Sequence, residues 1–330
     1  MSRRLVLVTG GAGFIGSNIV GRLAGEGRFE VAVCDWLGAA DDGRWRYLAP
    51  HPIADFVFPE ELFDWLGRRG GELEAVIHMG AISSTTEADV DKIIRNNFCL
   101  SRDLFRWCAA AGRRLIYASS AATYGDGAGG FDDDDDPTAL AALRPLNPYG
   151  WSKALFDLFA AREAARGAGP PQWAGLKFFN VYGPNEGHKG AMKSVAAQIW
   201  PDVAAGRRVR LFKSHRSDYP DGGQLRDFVY VRDAADVVVW LLEAAPASGI
   251  FNLGSGRARS FKDLAEAVFR AAGKTAAIDY FDMPEALRPR YQYFTEARLE
   301  RLRAAGYDGQ FTSLEDGVAD YVRSARSQSG

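Results

Sequence analysis

The chain has 330 residues, 47% of them hydrophobic and 25% charged, with a formal net charge of −2. That length exceeds what one hydrophobic core comfortably fills, so a large domain with an appended lobe is expected. The ordinary composition argues against disorder, and the near-neutral charge gives no electrostatic reason to expect nucleic acid or an anionic membrane as a partner.

The opening "MSRRLVLVTGG" places two arginines before a short apolar run that ends in glycines. The run is too short for the core of a signal peptide and reads as a buried strand. No apolar run approaches membrane-spanning length, so a cytoplasmic protein is expected. Cys34, Cys99 and Cys108 form no CxxC pair and no metal-ligand spacing with the four histidines; no metal site is expected. Buried thiols in a reducing compartment fit them better.

"RLVLVTGGAGFIGSNIVGRLAGEG" is a strand, a glycine turn and an amphipathic helix with Ile15, Ile19, Val20 and Leu23 at helical spacing. "FEVAVCDW" is a second strand ending at Asp35. "LEAVIHMGA" and "RRLIYASS" are further strands, separated by the helical pattern "DKIIRNNFCLSRDLFRWCAAAG". "YGWSKALFDLFAAREAARG" is a long helix and "WAGLKFFNVYG" the strand after it. Alternating strands and helices predict a doubly wound parallel sheet, a Rossmann fold, in an α/β protein. The run "FDDDDDPTAL" reads as a solvated loop, because like charges repel and extend the chain.

Beyond residue 180 the pattern is less regular. "SVAAQIWPDVAAG" is helical, with Pro201 expected to kink or end it. "RVRLF" is strand-like, "RDFVYVRDAADVVVWLLEAA" a strand entering a helix, and "GIFNLGSG" a short strand. "SFKDLAEAVFRAAG" is a helix with Ser260 as its N-cap. The expected division is a dinucleotide-binding domain over 1–180, to which 226–256 return, and a mixed α/β C-terminal substrate lobe over 181–225 and 257–330.

"TGGAGFIG" sets Gly10, Gly11, Gly13 and Gly16 between a strand and a helix. One glycine permits the turn, another the approach of a pyrophosphate, and Gly16 the close packing of helix on strand. The helix N-terminus offers free N–H groups to phosphates. Asp35 ends the next strand about 20 residues on, where an acid binds the adenosine ribose. Asp35 favours NAD, whereas Arg44 and Arg46 would neutralise the extra phosphate of NADP, and the choice between them stays open. In "NPYGWSK", Tyr149 and Lys153 are four apart and share a helix face. A neighbouring ammonium is expected to lower the tyrosine's pKa. Ser120, in "YASSAATYG", ends a parallel strand at the edge where such sheets bind ligands. In "NVYGPNEGHKGAM" the question is whether Lys189 is a solvated surface charge or a proton carrier.

Together "TGGAGFIG", "YASSAATYG" and "YGWSK" resemble the extended short-chain dehydrogenase/reductase superfamily of nucleotide-sugar epimerases, dehydratases and reductases. "GAISSTTE", "FFNVYGPNEGHKGAMKSV", "RDFVYV", "FNLGSGRARSF" and "RYQYFTEARL" are similar to the ADP-heptose 6-epimerase family within it, which makes the heptose donor for lipopolysaccharide core. The resemblance implies Ser120, Tyr149 and Lys153 as the catalytic set and Lys189 as a second acid/base. For the cofactor it implies Gly10, Gly11, Gly13, Phe14, Ile15, Gly16, Asp35, Trp36, Arg44, Met79, Gly80, Ala81, Ile82, Ser83, Asn96 and Val181, with Tyr149, Lys153 and Lys189. For the ADP-heptose substrate it implies Ser120, Asn180, Ala191, Gln198, Phe212, Lys213, Ser214, His215, Arg226 and Tyr291. It further implies one tightly bound NADP or NAD per subunit and a homo-oligomer, with a pentamer as the expected form. This chain departs from the family in having Ala191 for a serine, Gln198 for a histidine, "FKSH" for "FEGS" and Pro59 for a lysine.

Inversion of a carbon bearing only H and OH, with no acidifying neighbour, requires hydride removal and return, so the cofactor is regenerated in each cycle. Two epimers present their hydroxyls on opposite sides, which makes a second base useful. Lys189 is the candidate if desolvation, or a cationic His188 beside it, lowers its pKa. A UDP-hexose 4-epimerase-like enzyme would need only Tyr149, Lys153 and Ser120. A non-catalytic NAD(P)-sensing module typically lacks the tyrosine or lysine, and both are present here.

Overall fold

The computed structural model describes residues 3–85, 87–245, 248–285, 287–288 and 291–327. Its strands in chain order are β1 (Arg4–Thr9), β2 (Phe29–Cys34), β3 (Asp55–Val57), β4 (Leu73–His78), β5 (Arg114–Ser120), β6 (Trp173–Phe178), β7 (Asn180–Tyr182), β8 (Val209–Phe212), β9 (Leu225–Tyr230), β10 (Gly249–Leu253), β11 (Ala258–Ser260) and β12 (Ile278–Phe281). Its helices are α1 (Phe14–Gly25), α2 (Trp45–Leu48), α3 (Leu62–Arg69), α4 (Val90–Ile93), α5 (Leu100–Ala111), α6 (Pro137–Ala142), α7 (Pro148–Ala165), α8 (Val195–Ala204), α9 (Val231–Ala244), α10 (Phe261–Ala272), α11 (Glu300–Ala304) and α12 (Leu314–Ser327).

Seven strands form a sheet in the order β10-β6-β5-β4-β1-β2-β3, and every pairing in it is parallel. Each strand is apolar on both faces because helices cover both. Along β1 the alternation is explicit. Val6 and Val8 join a core with Ile19, Val20 and Leu23 of α1 and Val237, Val238 and Leu241 of α9. Leu5 and Leu7 point the other way, to Leu62 and Trp65 of α3, Phe105 of α5 and Phe156 of α7.

The expected strand "WAGLKFFNVYG" is two strands in two sheets. β6 stays in the large sheet, whereas β7 joins a three-stranded sheet of order β11-β9-β7. Of the stretch 226–256, α9 and β10 pack with the large sheet, while β9 pairs parallel to β7 and antiparallel to β11. A separate core gathers Ala196 and Ile199 of α8, Leu211, Phe228, Leu264 and Val268 of α10 and Val318 of α12. Ser260 caps α10, as the sequence suggests, and Asp263 reciprocates to complete a capping box. Among the described residues no helix is long and apolar enough to cross a membrane.

Three expectations are refined. Of the two outcomes expected at Pro201, kinking or ending the helix, the ending is excluded: α8 runs on to Ala204. The segment before α5 is not plain α-helix, since Ile94–Cys99 form a π-helical turn. The aspartate run is a loop, as expected, with Asp132, Asp134 and Asp136 exposed, but it is not solvated throughout. Asp133 is buried and accepts the Asn252 N–H at 2.7 Å, Asp135 pairs with Arg301 at 2.6 Å, Asp132 pairs with Arg298, and Asp136 caps α6. Tertiary partners far along the chain neutralise a repulsion that local reasoning treats as unopposed.

Candidate active site

Between β1 and α1 the chain makes the turn that its glycines require. Gly10 has φ 67, in the left-handed region, and a Cβ there would stand 2.6 Å from the Gly80 nitrogen. A Cβ on Gly16 would overlap the carbonyl oxygen of Gly10. α1 begins at Gly13, which supplies no side-chain cap, so the first-turn N–H groups are left for a ligand. Asp35 fastens this turn to β2: its carboxylate accepts the N–H of Ala12 at 2.9 Å and of Trp36 at 2.7 Å. Burial pushes the carboxyl above its ordinary value, and those N–H bonds and Arg44 pull the other way. Arg44 Nη1 lies 3.8 Å from Asp35 Oδ1.

α7 starts at Asn147, whose side chain accepts the Gly150 N–H at 2.8 Å, with Pro148 in the first turn. Tyr149 and Lys153 share one face. Lys153 is buried, its Nζ donates to the Ala118 carbonyl at 2.8 Å, and desolvation lowers its pKa to about 8. The Tyr149 hydroxyl is hydrogen-bonded to Ser120, yet its pKa is raised, because desolvation outweighs that bond. The net lowering expected beside an ammonium is therefore not found, because burial of the phenol dominates. Ser120 Oγ accepts the Ala122 N–H at 3.1 Å and closes the turn after β5.

The loop of Lys189 is built, not loose. Glu186 is buried and accepts the Gly183 N–H at 3.1 Å and the Ser194 hydroxyl at 2.7 Å, tying the loop's two ends together. The Tyr47 hydroxyl accepts the backbone N–H groups of Gly187 and His188. Lys189 Nζ lies 5.0 Å from the centre of the Phe14 ring. Burial lowers the Lys189 pKa, and Glu186 opposes it. His188 is not the cation imagined for that role: burial, then Arg44, lowers its own pKa to about 4, so it is neutral near pH 7.

These groups open on one cavity of about 1020 Å³. It is lined by Gly10, Gly13, Phe14, Ile15, Gly16, Asp35, Trp36, Arg44, Met79, Gly80, Ala81, Ile82, Ser83, Asn96, Ser120, Tyr149, Lys153, Val181 and Lys189. Of the expected substrate residues, Asn180, Gln198, Arg226 and Tyr291 also line it. Gly11, Ala191, Phe212, Lys213, Ser214 and His215 do not. Gly11 packs on Val33, where a Cβ would come within 2.9 Å of Cγ1. Phe212 packs tilted against Phe281 and edge-on to Tyr291, Lys213 faces Asp282, the Ser214 hydroxyl donates to the Arg216 carbonyl, and His215 Nε2 accepts the Met283 N–H. Arg46 lies over the Trp45 ring and outside the cavity. Gln198 spends its amide N–H groups on the carbonyls of Ala191 and Lys193.

Residues that sequence reasoning missed include Ser119, Phe178, Phe179 and Lys193, all on the cavity wall. Only the strand–turn–helix position of Lys193, just before α8, could have drawn attention to it. Arg44, Lys153, Lys189, Lys193 and Arg226 line the cavity against one carboxylate, Asp35. Arg226 is buried without a carboxylate partner among the described residues; it donates to the Leu225 and Gln292 carbonyls and packs on the Tyr291 ring. The glycine cradle, the uncapped helix N-terminus and Asp35 fit a dinucleotide, and the remaining cations are suited to a second polyanionic ligand.

The parallel sheet, the glycine turn at its β1 edge and the Ser120–Tyr149–Lys153 constellation define a class, and comparison with known proteins agrees: the chain belongs to the NAD dependent epimerase/dehydratase family, whose sequence profile matches residues 6–254. Within that class it is 48% identical to the ADP-L-glycero-D-manno-heptose-6-epimerase of Nitratidesulfovibrio vulgaris, over 97% of this chain and 97% of that one. Among solved structures, the Helicobacter pylori ADP-L-glycero-D-manno-heptose-6-epimerase aligns with a TM-score of 0.78 and 25% identity, covering 97% of this chain and 96% of that one. The Thermus thermophilus UDP-glucose 4-epimerase in complex with NAD aligns with a TM-score of 0.75 and 28% identity, covering 98% and 99%.

Proposed function

We propose that this protein is an ADP-heptose 6-epimerase, inverting carbon 6 of ADP-D-glycero-β-D-manno-heptose to give the L-glycero epimer for lipopolysaccharide core. The observation that carries the reading is the meeting of two proton-handling groups, Tyr149 and Lys189, on one cavity whose lining carries five cations and one carboxylate. A bound nicotinamide dinucleotide supplies the hydride acceptor and donor, so that oxidation to a 6-keto sugar and re-reduction leave it unchanged.

In this reading Gly10, Gly13 and Gly16 hold the pyrophosphate and Asp35 a ribose hydroxyl. The adenosine end presents both a carboxylate, Asp35, and a guanidinium, Arg44, and so accommodates NAD and NADP, one per subunit. Residues up to β6, with α9 and β10, serve the dinucleotide, and the small sheet of β7, β9 and β11 with the remaining C-terminal residues serves the nucleotide sugar. Arg226, Tyr291, Asn180 and Gln198 bound the sugar nucleotide, with Arg226 facing its diphosphate. Tyr149 takes the proton from the hydroxyl of one epimer while Ser120 holds the oxygen. Its raised pKa makes it a proton donor at rest, and a cation bound opposite it would shift that balance. Lys189, with its pKa lowered by burial, handles the proton of the other epimer. Trp151 and Leu146 stand exposed at the start of α7, apolar surface that supports a homo-oligomer, with a pentamer as the form expected.

The test is separate replacement, Tyr149→Phe and Lys189→Met, with epimerisation of ADP-heptose and dismutation of a 6-aldehyde analogue as readouts. Each loss is expected at about 10²- to 10⁴-fold, the range of a general acid or base. Undiminished epimerisation in the lysine variant would overturn the two-base reading. Turnover of a UDP-hexose in place of ADP-heptose would redirect the substrate assignment.

A further inference from the structure

Behind the catalytic pair lies an ion pair that the mechanism does not use. Lys177 of β6 and Asp157 of α7 are both without solvent exposure, with Nζ 2.9 Å from Oδ2. Such a pair is a poor device for stability alone, since apolar residues of similar volume commonly serve as well or better. What it touches suggests another use. Asp157 Oδ1 accepts the Tyr117 hydroxyl at 3.0 Å and Oδ2 the Ser119 hydroxyl at 2.6 Å. Lys177 Nζ also donates to Thr123 Oγ1 at 2.7 Å and lies 4.8 Å from the centre of the Tyr124 ring. The Thr123 hydroxyl donates in turn to the Ser120 carbonyl at 2.9 Å. Gly175 of β6 leaves the space this needs, because a Cβ there would overlap the Tyr117 hydroxyl.

The contacts run in register. Asp157 meets Tyr117 and Ser119, Lys153 meets the Ala118 carbonyl, and Tyr149 meets Ser120. Residues 149, 153 and 157 succeed one another at intervals of one helical turn, so the last lies about 12 Å along the axis from the first. A clamp at Asp157 therefore fixes how α7 is rotated and shifted against β5, and with it where the phenol falls relative to the serine. Lys177 holds the other half of that geometry by bracing the turn at Thr123.

We propose that Asp157 and Lys177 are positioning residues for the reaction: the buried pair locks α7 to the end of β5 and so sets the spacing of Tyr149, Lys153 and Ser120. The proposal rests on the assignment of Tyr149 as a reacting group.

The test uses the full-length holoenzyme with Asp157→Glu, which keeps the charge and moves the carboxylate by one methylene. A misplacement near 1 Å at a reacting group costs on the order of a hundredfold. Asp157→Glu should therefore lower kcat about ten- to a hundredfold with KM little changed, beside the modest fall in thermal midpoint that an added buried methylene brings. The apolar double variant Asp157→Leu/Lys177→Met should keep its fold and bound dinucleotide and show a similar kcat loss. In a Tyr149→Phe background the Asp157→Glu change should have little further effect. Wild-type kcat in Asp157→Glu would overturn the proposal, as would losses that multiply in the Tyr149→Phe background. A Tyr149→Phe enzyme of full activity would instead remove the catalytic assignment, which separates the two failures.

Discussion

Helix α1 contains three glycines, Gly16, Gly21 and Gly25, in three different surroundings, and replacing each by alanine separates cofactor binding from helix stability. Alanine in a helix interior is favoured over glycine by roughly 0.5–1 kcal/mol, so that gain is the baseline for all three. At Gly25 no atom lies within 4 Å of an added Cβ, and the variant should be more stable by about 0.5–1 kcal/mol with unchanged dinucleotide binding. At Gly21 the Cβ would meet the tip of His51, 2.8 Å from Nε2, and a side-chain shift absorbs part of the gain. At Gly16 the Cβ would overlap backbone: the Gly10 carbonyl, with the Gly11 Cα at 2.9 Å. Backbone cannot swing aside, and overpacking of this kind costs about 1–3 kcal/mol. Less the helical gain, Gly16→Ala should lose up to about 2.5 kcal/mol. The Gly10 turn it displaces is also the phosphate cradle, so affinity for NAD should fall more than tenfold. Urea unfolding gives the first quantity and dinucleotide titration, followed by the fluorescence of the cavity residue Trp36, gives the second. Wild-type dinucleotide affinity in Gly16→Ala, or weakened affinity in Gly25→Ala, would refute the reasoning.

His78 is fully buried between Thr9 Oγ1 at 2.6 Å and Ser101 Oγ at 2.8 Å, and desolvation, then Lys153, lowers its pKa to about 3. Between that value and the ordinary 6.5 the unfolded chain binds a proton that the folded chain refuses, so stability falls as pH drops from 6.5 towards 3. At pH 5 the loss should be about 2 kcal/mol, and His78→Gln should flatten this part of the urea-monitored profile. The aspartate run offers a paired comparison. Asp133→Ala leaves a buried Asn252 N–H unsatisfied and should cost about 1–3 kcal/mol in thermal unfolding. Asp134→Ala, at an exposed site, should stay within about 0.5 kcal/mol of wild type.

What the sequence made legible was local. The glycine turn announces itself because strand, turn and helix follow one another in the chain. Tyr149 and Lys153 announce themselves because four residues is one helical turn. Lys189 stands out for its surroundings, and of the two causes considered for a lowered pKa, burial acts and a cationic His188 does not. The illegible parts depend on partners distant in the chain. Asp133 is explained by Asn252, Glu186 by a loop closing on Ser194, and the raised pKa of Tyr149 by the burial that the packed elements around it impose. The residues from Phe212 to His215 show the same limit in reverse: they follow a recognisable segment, but their side chains turn to Phe281, Asp282, Arg216 and Met283 and away from the cavity. Periodicity locates elements; it does not say which way an irregular loop will face.

The unequal charge of the cavity wall divides affinity from selectivity. Five cations against one carboxylate attract any nucleoside diphosphate over the screening distance of the solution, whatever sugar it carries. Ionic grip of this kind retains a ligand without distinguishing it, so free ADP enters as a competitor and rising salt weakens substrate and competitor alike. Discrimination falls to short-range contacts on the neutral wall, where Phe178, Phe179, Asn180 and Tyr291 stand. Changing those residues should alter which sugar is turned over, whereas changing the cations that take no part in proton transfer, Lys193 and Arg226, should alter only how tightly any sugar nucleotide is held.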